Sequence, residues 1–90
     1  MKAKVRLKSG AKIDLAVLDL SPIGCMVDRM GWGPQPDDRI LLQLDGLGFL
    51  PATVVWVEDE RAGMAFEQLL HETVLERLKD SLAREPRKAA

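Results

Sequence analysis

Polar and apolar residues alternate from the start of the chain. Across Lys2–Lys8, Ala3, Val5 and Leu7 fall on one side and Lys2, Lys4, Arg6 and Lys8 on the other, the period-two signature of a half-buried strand. Ser9-Gly10 supplies hairpin-turn chemistry, and Ala11–Leu18 resumes the alternation with Ile13, Leu15 and Val17 inward. The first two strands are therefore expected to pair antiparallel. Asp19–Gly24 interrupts the pattern with Pro22 and Gly24 and reads as a turn. A third strand is expected over Cys25–Met30, a loop over Gly31–Asp38, and a fourth strand over Arg39–Asp45 with Ile40, Leu42 and Leu44 inward. Beyond Gly46–Gly48 a fifth strand runs Phe49–Val57, and past the charged turn at Glu58–Arg61 a sixth covers Ala62–Glu67. Pro51 has no amide hydrogen to give a ladder, so an edge or a bulge is expected there. By the same alternation Trp56, two residues after Val54, is read as core, as are Met64 and Phe66.

From Leu70 the period changes. Leu70, Val74, Leu78 and Leu82 lie four apart with Leu75 beside them, which predicts a helix with one narrow apolar stripe that packs on the sheet. Pro86 ends it, leaving residues 86–90 as a flexible tail behind a single domain of residues 1–85. Six short strands joined by short turns point to an all-β barrel or sandwich.

Composition narrows what such a domain does. Ninety residues, 47% of them hydrophobic, suffice for one modest core. No apolar run approaches the roughly 20 residues of a membrane-spanning helix, and nothing resembles a secretion signal, so a cytoplasmic protein is expected. The single cysteine, Cys25, excludes an internal disulfide or a cysteine-based zinc site and is read as a small buried hydrophobe. A net charge of −1 offers no general attraction for DNA or RNA.

Asp19-x-Ser21-x-x-Gly24, between two predicted strands, resembles the Asp/Asn-x-Ser-x-x-Gly signature of PilZ domains, bacterial receptors for cyclic di-GMP. The likeness continues through Val17–Cys25, Val54-Val-Trp-Val57, Gly63-Met-Ala-Phe-Glu67 and the closing helix. It implies a six-stranded antiparallel β-barrel with a C-terminal helix, and cyclic di-GMP as ligand. In chemical terms, the Asp19 carboxylate can accept two hydrogen bonds from a guanine edge, Ser21 can donate or accept, and Gly24 lets a ligand approach the backbone. The same residues equally suit a turn without any ligand, because Asp and Ser side chains bond to nearby backbone amides. Cyclic di-GMP-binding PilZ domains carry an Arg-x-x-x-Arg element ahead of the first strand, whose planar guanidinium forks grip guanine and phosphate. That element is expected to be lacking here. Lys2 and Arg6 share its spacing but lie within the first strand, close to Asp19 in sequence.

Two functional readings follow: a cyclic di-GMP receptor using Asp19, Ser21 and Gly24, with Arg6 as a phosphate contact, or a PilZ-like adaptor that binds a protein partner without the nucleotide. Lys2, Lys4, Arg6 and Lys8 would stand about 7 Å apart. They read as a solvated outer face guarding an edge strand, or as a basic stripe for an anionic ligand or single-stranded nucleic acid. Trp32, between two glycines, either stands exposed to anchor a partner or stack on a base, or folds back to plug the barrel end. His71 stands alone at the helix start, as a surface or capping residue, with no metal set. No nucleophile–base arrangement points to an enzyme.

Overall fold

A computed structural model describes residues 1–84; the expected tail at 86–90 lies outside the described residues. The strands are β1 (Lys2–Arg6), β2 (Lys12–Ser21), β3 (Gly24–Asp28), β4 (Arg39–Gln43), β5 (Phe49–Glu58) and β6 (Arg61–Phe66), followed by helix α1 (Glu72–Arg84). They close into a barrel in the order β1-β2-β3-β6-β5-β4, with every neighbouring pair antiparallel.

Alternation does the sorting. In β1, Ala3 and Val5 are fully buried while Lys2, Lys4 and Arg6 face solvent. Inside the barrel the largest fully buried side chains are Leu15, Leu42, Leu44, Val5, Val27 and Val54. Gly10 closes the β1–β2 hairpin at φ +91°, a left-handed conformation that a Cβ disfavours, and its N–H donates to the Leu7 carbonyl at 2.9 Å.

Closure changes one expectation and locates another. β1 is no edge, because it pairs with β4 as well as β2, so the basic stripe has no open ladder to guard. Pro51 marks a local edge and not a bulge, because β5 pairs with β6 only from Ala52 onward and at Pro51 has β4 alone beside it. Its carbonyl accepts from the Glu67 N–H at 3.0 Å, and within a strand N and C=O of one residue point the same way. The proline nitrogen therefore faces the chain just past the end of β6, where no ladder bond within that strand is lost.

α1 lies against β2 with Leu75 and Leu78 buried and Val74 and Leu82 half-buried on the same core, as the four-residue spacing predicts; Leu70 packs there too but precedes the helix, which begins at Glu72. His71 caps it: its Nδ1 accepts from the Thr73 N–H at 3.2 Å and its carbonyl from the Leu75 N–H at 2.9 Å, satisfying donors that a helix start leaves open. The exposed Asp80–Arg84 pair at 3.0 Å adds little.

Of the two readings of Trp32, folding back is the one observed. The ring is half-buried against the core, and Arg29 secures the loop by donating to the Trp32 carbonyl at 3.0 Å and to the Asp59 carbonyl.

Cys25 is 8% exposed, and burial pushes its thiol from 9.0 up to about 12. At pH 8 only about 10⁻⁴ of it is thiolate. Ellman's reagent is therefore expected to react negligibly with folded protein and readily once urea unfolds it; rapid reaction of the native form would contradict this burial. Unfolding returns the thiol to its ordinary value, so this contribution to stability is intact below about pH 9 and lost as the pH rises toward 12.

Candidate functional site

Of the motif, Asp19 and Ser21 sit in β2 and Gly24 opens β3, so the turn is shorter than the sequence suggests. β2 continues through Asp19 and Leu20 to Ser21, and only Pro22-Ile23 separates it from β3, with Ser21 opposite Gly24. A bulge makes this possible. The β2–β3 register slips between Val17 and Asp19, so Leu18 and Asp19 both face outward while Val17 and Leu20 both face the core. An extra residue in one strand re-aims everything after it. Without the slip, Asp19 would follow Leu15 and Val17 into the core.

A second bulge does the same in β5. There the register slips between Val54 and Trp56, so Val55 and Trp56 are both exposed, at 54% and 37%, while Val54 is fully buried. Trp56 is therefore not core, contrary to the plain alternation. Its indole lies over Gly63, where a methyl group would collide with the ring.

The two bulges aim at one face. Asp19 pairs with Met26, Met26 with Gly63, and Gly63 with Trp56, forming a single row across β2, β3, β6 and β5. At a strand spacing near 4.8 Å, Asp19 and Trp56 stand roughly 14 Å apart at the backbone. Between them lies a shallow depression of about 350 Å³, with Met26 and Gly63 in its lining and Ser21, Ile23 and Val55 beside them. Among the described residues, none that lines it is cationic.

Asp19 accepts the Leu20 N–H at 2.9 Å, and its side chain is otherwise exposed. Ser21 Oγ donates to the Gly24 carbonyl at 3.3 Å and accepts from the Ile23 N–H at 3.4 Å, both long enough to be weak. The turn chemistry is thus present, and it leaves both side chains able to meet a ligand. Gly24 lines the same depression and has a packing duty besides. A Cβ there would run into the Met64 carbonyl oxygen of β6, so this glycine sets how closely β3 approaches β6.

Arg6 does not join this site. It pairs with Lys12 at the far end of β2, seven residues from Asp19, or roughly 20 Å along the strand. Trp32 is also elsewhere, packed on the core at its loop. A larger hollow of about 810 Å³ lies between α1 and the β4–β5 turn, where Lys2, Arg77 and Arg84 mix with Asp45 and Asp80; it contains neither Asp19 nor Trp56.

The missed residue is Trp56, and its signal was faint. Glycine within a strand often marks a close approach, and Gly63 is where the indole lies. In β2 the buried positions Leu15, Val17 and Leu20 are spaced two and then three apart, which is a bulge written in the sequence.

A search of curated proteins found no match. The model of the PilZ domain matches residues 1–84. That span takes in all six strands of the closed barrel, the Asp19-to-Trp56 face and the capping helix, and the chain belongs to the PilZ domain family.

Proposed function

We propose that this domain is a bacterial, cytoplasmic regulator that binds cyclic di-GMP on the outer face between Asp19 and Trp56. The observation that carries this reading is the pair of bulges, which turn a carboxylate and an indole out of the core onto opposite ends of one cross-strand row. A carboxylate accepts from both N–H groups of a guanine Watson–Crick edge, and an exposed indole offers a face on which a base stacks. The indole rests on Gly63, which leaves its outward face for a base. Membership of a family of cyclic di-GMP receptors supports the same ligand.

Recognition in this depression rests on the base, since its lining carries no cation to hold phosphate. Calorimetric titration tests this. Cyclic di-GMP is expected to release heat at micromolar concentrations, and Asp19→Ala to weaken binding at least tenfold, the order lost with a bidentate base contact. Cyclic di-AMP, whose adenine edge cannot satisfy the carboxylate in the same way, should bind far more weakly. Affinity should also vary little with salt, because few counterions are released. Equal binding of both nucleotides, or an Asp19→Ala variant indistinguishable from the wild type, would remove the proposed site.

A further inference from the structure

With no edge to guard, the basic stripe calls for another reason, and the barrel divides it in two. Lys2 and Lys4 share a hollow with Asp14 and Asp45, and Lys4 pairs directly opposite Asp14, so carboxylates stand beside both lysines. Arg6 is placed differently. Its neighbours are Lys12 on β2 and Leu41 on β4, Lys8 lies two residues beyond it, and Arg39 is two residues from Leu41 on the outer side of β4. Four cations gather here on a chain whose net charge is −1. Among the described residues Glu67 pairs with Arg39 at 2.8 Å, and Asp14 stands two residues from Lys12 on the same outer side of β2, so cations outnumber carboxylates on this face.

The centre of this cationic face is apolar. Leu41 is 36% exposed and pairs with Pro51 on β5, and the two share a shallow hollow of about 490 Å³ rimmed by Arg6, Lys8 and Arg39. A partner that brings carboxylates around an aliphatic side chain would meet both features together, with the charges orienting it and the leucine excluding water.

We propose that the Arg6–Leu41 face docks an acidic protein segment that carries aliphatic side chains. Single-stranded nucleic acid fits it less well, because no aromatic residue lines the hollow for base stacking. An anionic membrane fits it less well too, since the adjoining hairpin tip, Ser9-Gly10-Ala11, offers nothing large and apolar to insert. The face lies roughly 20 Å along β2 from Asp19, so it can be engaged whether or not the nucleotide face is occupied.

Fluorescence anisotropy with the full chain and a short labelled peptide, glutamates flanking a central pair of leucines, tests the proposal. Saturable binding is expected, with Kd on the order of tens of micromolar for a contact of this size. Arg6→Glu and Lys8→Glu should each weaken it about tenfold. Leu41→Asn should weaken it several-fold without changing its salt dependence. Lys79→Glu, the same charge change on the exposed side of α1, should leave it unaltered. Circular dichroism confirms that each variant is folded. Absence of saturable binding, equal binding of a peptide whose leucines are replaced by serine, or tighter binding of a single-stranded oligonucleotide or of phosphatidylglycerol vesicles would each overturn the proposal.

Discussion

Replacing Trp56 by alanine is expected to weaken cyclic di-GMP binding roughly ten- to a hundred-fold, because stacking of a base on an indole contributes about 1–3 kcal/mol. The barrel should remain folded, since the side chain is exposed and lies over Gly63 on the outer surface. Two companion variants separate stacking from bulk. Trp56→Phe keeps an aromatic face and should retain most of the affinity. Gly63→Ala leaves the indole present but drives it from its seat, and should approach the loss seen with Trp56→Ala. If Trp56→Ala binds as the wild type does, the row from Asp19 to Trp56 is not the nucleotide site.

The second large effect concerns stability. Gly24→Ala places a methyl group against the Met64 carbonyl oxygen, a backbone atom that cannot swing aside without moving β6. Overpacking of this kind costs about 3 kcal/mol, and for a domain of this size the melting temperature should fall by roughly 10–20 °C. Gly33→Ala is the control, because its Cβ would meet nothing within 4 Å; its melting temperature should stay within a few degrees of the wild type. Thermal denaturation followed by circular dichroism reads both. A Gly24→Ala protein as stable as the wild type, but deficient in nucleotide binding, would return Gly24 to the ligand-access role that its motif position suggests.

The sequence told the fold and the site unequally well. Period two in Lys2–Lys8 and Ala11–Leu18, and the four-residue spacing from Leu70 to Leu82, are local signals, and the strands and helix formed where those signals lay. His71 and Cys25 were equally readable, one from its place at a helix start and the other from being a single thiol in an apolar strand. Closure was not local. It depends on β1 meeting β4, a strand more than thirty residues away in sequence, and strand periods left barrel and sandwich open until the family resemblance chose between them. That same closure removed the edge that Lys2–Lys8 was read as guarding, while Pro51 keeps a local one where β6 ends.

The site was half legible for a related reason. Asp19, Ser21 and Gly24 stand out as a motif, but what each does depends on a neighbour in another strand. Asp19 faces outward because β2 slips one residue against β3. Gly24 is needed because of a carbonyl on β6. Trp56 is outside because β5 slips against β6, and strict alternation from Val54 puts it inside. One extra residue inverts every assignment that follows it, and both inversions fall on the same face.

The most direct test of that face is a nuclear magnetic resonance titration of isotope-labelled protein with cyclic di-GMP. The chain has two tryptophans, so the indole N–H signals report on two places at once. The expected result is a progressive shift of the Trp56 indole and of the Asp19, Ser21, Met26 and Gly63 amides, with the half-buried Trp32 indole unmoved. A Trp56 indole that stays still at high micromolar ligand, or shifts confined to another face of the barrel, would contradict it.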